Sequence, residues 1–559
     1  MLNKKQKNVA LNIPKNTIVS ASPGTGKTKT LVARAIHKLS SIPPHKLLAL
    51  ITYTNAAADE IASRIISSKD EIFIGTIHRF CLEFILRPFG WIYKWSKPKI
   101  ITYSELLEFL ENNQDIDLGN SPIDELNKIK KLVSGELDKS VDWPNASSLE
   151  YVAELYYNFL ESKVSIDFNE ILYRSYKLIS ENDFIVNSLA NKFYEILIDE
   201  FQDTNIFQYE IFKIINKKGL STFFIVGDEK QRIYRFAGAI DDAFNKASLD
   251  FSAPIKELDI TYRSTNNIIE AFSKLFKYHP KLVNESKYKN TDLKITIQET
   301  DNDSNIQYID YCIDYLIKSK MKLSDIAVLT TSWFEAINIS RALRQKYNIV
   351  GLGALPHRHI NNSTFSLIRS SSRYLYSASI KNLRSVRRNV ELHALENNLN
   401  LSATELNHAS NYLITKLSSI DNGLPIFEGL TIIKDVFKSV FRIDHSTLDE
   451  IINLIDEVEA KYWTIGKYFE TLSGTGGVTI NTIHQAKGLE YEAVILNGIN
   501  TGRIPYQSWD PVNRTRGPLT TENLENGRTL LYVGISRAKL LLVILHNWNP
   551  SLFIKIIRP

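Results

Sequence analysis

The sequence predicts an α/β protein built on parallel sheets. Three observations carry that reading. Thr17 to Ser20 reads as a short buried strand and Lys27 to Leu39 as a helix with one apolar face, joined by a tight Gly-rich loop. Far downstream, Glu195 to Ile198 reads as an apolar strand that delivers Asp199 and Glu200 to its end. Around both, strands alternate with helices, the order that winds a parallel sheet.

The loop is Ala21-Ser22-Pro23-Gly24-Thr25-Gly26-Lys27-Thr28. Backbone N–H groups and a helix N-terminus converge there, which makes an anion site. Gly24 and Gly26 let the backbone wrap a phosphate, Lys27 reaches the terminal phosphates, and Thr28 holds Mg²⁺. Ala21 stands where the usual pattern has its first glycine. The downstream carboxylates complete the pair such a loop needs: Asp199 suits the Mg²⁺ shell and Glu200 can polarise the attacking water. Together the two motifs imply binding and hydrolysis of a nucleoside triphosphate.

The bulk composition sets bounds. At 559 residues the length prior is about four domains. With 44% hydrophobic and 23% charged residues the chain can build large cores, and disorder is not expected. The net charge of +5 fits a nucleic-acid binder without demanding one. Two cysteines, Cys81 and Cys312, are too few for a disulfide framework or a cysteine-rich metal site. Met1 to Lys7 lacks the apolar core of a signal peptide, and no apolar run approaches a membrane span. A cytoplasmic protein without membrane partners is expected.

Further boxes fit one family in order and spacing. Leu2-Asn3-Lys4-Lys5-Gln6 resembles the adenine-reading Q motif of superfamily 1 helicases. Ile51-Thr52-Tyr53-Thr54-Asn55-Ala56-Ala57-Ala58 is similar to their motif Ia, and Gly75-Thr76-Ile77-His78-Arg79-Phe80 follows it. After Asp199-Glu200-Phe201-Gln202-Asp203-Thr204, the run Val226 to Phe236 resembles motif III and Thr261-Tyr262-Arg263-Ser264 motif IV. Thr482-Ile483-His484-Gln485-Ala486-Lys487-Gly488-Leu489-Glu490 resembles motif V, and Tyr532 to Lys539 motif VI. The chain is identified as a member of the UvrD/Rep/PcrA group of DNA helicases. Its short size and motif V also resemble the helicase-like subunit of Gabija-type anti-phage systems.

The resemblance implies two RecA-like P-loop NTPase domains with two mainly helical insertions. Residues 1–100 and 170–275 are expected to form the first RecA-like domain around insertion 101–169. Residues 276–355 and 475–559 are expected to form the second, around a short insertion at 356–474. Helical patterns at Ser104 to Asn112 and Ile123 to Leu132 mark the first insertion. Arg369, Arg373, Lys381, Arg384, Arg387 and Arg388 in the second are either a DNA-facing surface or a solvated face.

It also implies roles. The amide of Gln6 can pair with an adenine edge, Tyr262 can stack on the base, and Glu490 resembles the family's ribose-contacting carboxylate. Gln231 could sense the terminal phosphate, and Arg263 and Arg537 could neutralise charge on the transferred phosphoryl group from two sides of a cleft. The catalytic set is thus Lys27, Asp199, Glu200, Gln231, Arg263 and Arg537. A strand track follows from Tyr53, Asn55, His78, Tyr234, Phe236 and His484, with aromatic faces for bases. Both histidines read as hydrogen-bonding groups, since no second ligand lies at metal spacing. Ala56, Ala237 and Thr261 depart from the usual Lys, Arg and Asn.

The implied function is an ATP- and Mg²⁺-dependent 3′→5′ motor on single-stranded DNA and at junctions with duplex, in repair or anti-phage defence. The competing reading is a DNA-binding ATPase subunit that works with a nuclease or other protein and unwinds little alone. A helicase–nuclease fusion is not expected, because the chain ends about twenty residues past motif VI.

Overall fold

The computed structural model describes residues 2–12, 15–65, 71–95, 98–119, 121–233, 238–301, 304–357, 363–397, 399–442, 446–455, 457–510 and 513–558. The first sheet comprises β1 (Thr17–Ala21), β2 (Leu47–Thr52), β3 (Ile72–Thr76), β4 (Phe193–Ile198), β5 (Thr222–Gly227) and β6 (Ile255–Leu258). Its order is β3-β2-β4-β5-β1-β6, parallel throughout. Helices cover both faces, so the central strands are nearly continuous apolar runs such as Phe223-Phe224-Ile225-Val226.

The second sheet comprises β7 (Thr296–Glu299), β8 (Ile326–Thr330), β9 (Ile349–Gly351), β10 (Val478–Thr482), β11 (Tyr491–Leu496) and β12 (Ala538–His546). Its order is β7-β12-β11-β8-β10-β9, again parallel. The helix Asn266–Lys274 already belongs to this body: Ile268 and Phe272 pack in one core with Tyr532 and Leu542.

Each insertion has its own core. In the first, Phe109, Val152, Tyr156 and Leu160 cluster between the helices Tyr103–Asn112 and Leu149–Ser162. The helical pattern over Ile123 to Leu132 is realised only as Pro122–Leu126. Beyond it the chain turns back through Gly135 at φ +91°, and Lys131 pairs with Glu170 at 2.8 Å, a tertiary contact that outweighs local propensity.

In the second insertion the helices Ser363–Tyr376, Ile380–Glu396, Ala403–Ser418 and Ile426–Phe441 bury Leu367, Val390, Leu413 and Phe437. Its basic residues divide. Lys381 and Arg384 are exposed, whereas the Arg369 guanidinium lies over the Phe365 ring. Arg388 reaches Asp59 of the first body at 3.0 Å, close to the Arg79–Glu391 pair at 3.6 Å. Part of the basic run therefore docks the insertion onto the first body and is not presented to a ligand.

Cys81 and Cys312 are free and buried, and burial pushes the Cys81 thiol up to about 12. No helix among the described residues is long and apolar enough to cross a membrane.

Candidate active site

The helix Lys27–Leu39 begins at Gly26, whose φ of +82° is a left-handed start that favours glycine. Among the described residues no side chain caps it, so its first N–H groups are left for a ligand. Gly24 (φ +74°) is required for a second reason: a Cβ there would fall 2.5 Å from Thr261 Oγ1. Ala21 is the last residue of β1 and needs no left-handed backbone, so the missing first glycine has no conformational cost. The loop holds its own shape, because Thr25 Oγ1 donates to the Ser22 carbonyl at 2.8 Å. Thr261 Oγ1 donates to the Pro23 carbonyl at 3.0 Å and the Tyr262 N–H to the Gly24 carbonyl at 2.9 Å.

Inside this cradle the Lys27 Nζ is buried without a hydrogen-bond partner among the described residues. An ammonium left unsatisfied in a dry site is costly unless an anion completes it. The loop therefore fits a polyphosphate. Thr28 lies in the first turn of the same helix.

β4 delivers Asp199 and Glu200 to the neighbouring strand end, as its apolar run predicts. Glu200 adopts φ +51°, a strained conformation for a side-chain-bearing residue, and its carboxylate accepts a hydrogen bond from Gln202 Nε2. Burial raises the Asp199 carboxyl above its ordinary range, and the adjacent Glu200 charge adds to the effect. Among the described residues no three His, Cys, Asp or Glu side chains cluster as metal ligands. A cation here would rely on Asp199, Thr28 and the phosphates, the usual economy of an Mg²⁺ site.

Gln231 joins the two bodies. Its Nε2 donates to Asp228 Oδ2 at 2.8 Å, while its Oε1 accepts from Arg537 Nη2 at 3.1 Å. Arg537 is almost wholly buried and also donates to the carbonyls of Val533 (3.0 Å) and Leu489 (3.2 Å). Burial, reinforced by Arg263, lowers its guanidinium to about 10, so it stays charged at neutral pH. Arg263 reaches Glu490 at 2.7 Å and the Ser536 carbonyl at 3.0 Å, while its Nε is buried without a hydrogen-bond partner among the described residues. Glu490 is also paired with Lys539 at 3.0 Å.

Other residues complete the cleft although the sequence suggested no role for them. Lys487 forms a buried ion pair with Asp203 across the two bodies and donates to the Gln231 carbonyl at 2.8 Å. Burial pushes Asp203 up to about 6 against the pull of Lys487. Tyr532, fully buried, contacts His279 at 3.0 Å. All but His279 lie inside the motif boxes, and that was the only signal for them.

On the adenine side, Gln6 caps its own helix and packs on the loop: its Oε1 accepts from the Asn3 N–H (2.9 Å) and its Nε2 donates to the Thr25 carbonyl (2.8 Å). One donor and one acceptor position of the amide remain for a base edge. Tyr262 is partly exposed beside it, its hydroxyl accepting from Asn3 Nδ2 at 2.8 Å.

The described residues expected to form the strand track lie at other strand ends. β2 and β3 pair as far as Thr52 and Thr76, which places Tyr53 and Asn55 beside His78. Tyr53 and Asn55 are exposed. His78 is half-buried against the Phe168 ring, and burial lowers its imidazole to about 4, so it is neutral. His484 follows β10 and is lowered by burial and by Lys487. Tyr234 and Phe236 lie outside the described residues.

Comparison with known proteins agrees with this layout. Residues 2–252 match the UvrD/REP helicase N-terminal domain, and residues 256–369 and 430–548 match the UvrD-like helicase C-terminal domain. The chain is 27% identical to DNA helicase II of Rickettsia typhi, over 100% of this chain and 93% of the relative. It is 26% identical to a probable DNA helicase II homolog of Mycoplasma capricolum, over 96% and 83%. It is 25% identical to the ATP-dependent DNA helicase PcrA of Bacillus subtilis, over 93% and 79%. The chain belongs to the superfamily 1A UvrD-like helicases, with two RecA-like α/β domains and two mainly helical insertions.

Proposed function

We propose that this ATP-dependent DNA helicase moves 3′→5′ along single-stranded DNA and separates duplex ahead of it. The observation that carries the proposal is the buried bridge through Gln231, which contacts Asp228 of the first body and Arg537 of the second. A terminal phosphate beside that bridge would bind both bodies, and its loss would loosen them. Hydrolysis coupled to such opening and closing is how a two-domain motor steps.

In this reading Lys27 and the loop N–H groups bind the β- and γ-phosphates. Thr28 and Asp199 hold Mg²⁺, which supplies charge neutralisation on the phosphate oxygens. Glu200 accepts the proton of the water that attacks the γ-phosphorus, and ADP departs as Arg263 and Arg537 stabilise the spreading charge. Gln6 and Tyr262 hold the adenine, and Glu490 the ribose. Tyr53, Asn55, His78, Tyr234, Phe236 and His484 form the strand track.

The test is ATPase activity with single-stranded or blunt duplex DNA, together with unwinding of duplexes carrying a 3′ or a 5′ tail. Strong stimulation by the single strand and unwinding only from the 3′ tail are expected. Equal stimulation by blunt duplex would remove the single-strand reading, and unwinding from 5′ tails would reverse the polarity. A second reading is supported by the compact second insertion and its clamp on Asp59: an ATPase subunit of a repair or defence complex, working with a nuclease or other partner. DNA-stimulated ATPase without unwinding would favour it.

A further inference from the structure

One carboxylate oxygen at the nucleotide cleft is approached from both bodies. Asp228 Oδ2 accepts from Gln231 Nε2 at 2.8 Å, and the Tyr532 hydroxyl of the second body lies 3.4 Å from the same atom. Gln231 in turn accepts from Arg537 at 3.1 Å. Tyr532 stands in the last turn of the helix Thr521–Ile535, and Arg537 Nε donates to the Val533 carbonyl of that turn at 3.0 Å. These contacts close a ring across the cleft. Where the phenol sits therefore helps to fix where the helix end presents its guanidinium.

The phenol has one proton and two acceptors within reach. Tyr532 is wholly buried, and burial beside the Asp228 charge raises its hydroxyl well above the ordinary value, so the proton stays on. His279 decides which acceptor receives it. This residue follows the helix Asn266–Lys274, outside every helicase motif, and its Nδ1 lies 2.8 Å from the Pro280 carbonyl. A carbonyl only accepts, so Nδ1 carries the ring hydrogen and Nε2 is left as an acceptor. Burial lowers the imidazole below its ordinary value, which keeps the ring neutral at pH 7. Nε2 stands 3.0 Å from the Tyr532 hydroxyl, nearer than Asp228, and takes the proton. The rings of Phe272 and Phe276 meet Tyr532 edge-on at 5.3 and 5.2 Å and hold the phenol in place.

With its proton on His279, the phenol oxygen accepts from the Ser22 hydroxyl of the phosphate loop, and Asp228 Oδ2 serves Gln231. Without an acceptor at position 279 the proton would turn to Asp228. The phenol and the Gln231 amide would then share one oxygen. We propose that His279 is a positioning residue for ATP hydrolysis: it orients the Tyr532 hydroxyl and, through it, the Asp228–Gln231–Arg537 bridge. The inference rests on the reading of Gln231 and Arg537 as groups that meet the terminal phosphate. It gives a residue outside the motifs a part in the reaction, although His279 touches no substrate.

The test is steady-state ATP hydrolysis by the full chain at saturating oligothymidylate, with affinity read separately from a fluorescent ATP analogue. His279→Leu, which fills the space but offers no acceptor, is expected to lower kcat about tenfold and leave affinity within about twofold of wild type. His279→Gln, whose amide oxygen can replace Nε2 as the acceptor, should recover most of the loss. Tyr532→Phe should lower kcat by a similar factor. Adding His279→Leu to it should cost nothing further, because both act through one hydroxyl. A residue that merely packs against Phe272 would lower kcat again in the Tyr532→Phe background. That outcome, or a wild-type kcat in folded His279→Leu, overturns the inference. Thermal melting reports folding, and if the leucine variant does not fold, Tyr532→Phe decides: wild-type turnover there overturns the inference as well. Wild-type turnover in Arg537→Ala would remove the role of Arg537 itself, and the inference with it. An inactive Arg537→Ala beside a normal His279→Leu removes the inference alone.

Discussion

In the nucleotide cleft, Gln231, Asp203 and Arg537 are each almost wholly buried, and each is hydrogen-bonded or ion-paired. At the ends of β2 and β3, by contrast, Tyr53 and Asn55 face solvent. Both regions are strand ends of parallel sheets, where backbone geometry leaves side chains converging on one edge. On the function proposed above they differ because a transition state needs donors fixed in advance in a dry site, whereas a passing strand must be gripped and released. Substitutions in the cleft should therefore act on chemistry by orders of magnitude. Substitutions on the track should act on affinity by modest factors.

The largest effect is expected from Lys27→Ala, which removes the buried loop cation whose Nζ has no hydrogen-bond partner among the described residues. ATP turnover should fall by about 10² to 10³ or more, with the fold retained. Steady-state hydrolysis by a variant with a normal melting curve checks this, and near-wild-type turnover would end the distinction between the two regions. Glu200→Gln should come next, lowering turnover by about 10²- to 10⁴-fold while ATP still binds, because the amide keeps the shape but cannot take the proton. Equilibrium binding of a fluorescent ATP analogue separates the two. If binding disappears together with hydrolysis, Glu200 has a structural role.

On the track, Tyr53→Ala should weaken single-stranded DNA binding by about 1–3 kcal/mol, with the salt slope unchanged because the phosphates keep all their cations. A thousandfold loss of turnover at saturating DNA would instead put Tyr53 in the chemistry. The smallest effect concerns His78. Its imidazole is held near 4 when folded and titrates near 6.5 when unfolded, so between these values the unfolded chain binds the extra proton. Stability is then full above about 6.5 and falls as pH drops toward 4. His78→Asn should remove about 1–2 kcal/mol of the difference between pH 7.5 and pH 5, measured by urea unfolding. Identical pH profiles would mean that the ring is solvated.

Much of the cleft was legible in sequence, for physical reasons that can be located. A phosphate loop has to be a glycine-relieved turn between a strand and a helix, and the helix spans Lys27–Leu39 as its periodicity indicates. The carboxylates have to follow an apolar strand, and β4 ends at Ile198. The proposed track was less legible, since an exposed aromatic residue leaves no periodic trace.

The sequence by itself determined the strand–loop–helix site, the carboxylate pair and the alternation that builds two parallel sheets, because each depends on neighbours within one or two elements. Tertiary structure decided the rest. It stopped the helix at Leu126, where Lys131 turns back to Glu170, and it spent Arg388 on Asp59. Glu195, inside an apolar strand, is tolerated because Arg34 from the phosphate-loop helix meets it at 2.6 Å. Lys487 found Asp203 from 284 residues away. Such pairings follow from which surfaces come together in space, and a buried charge takes its partner from there, not from its chain neighbours.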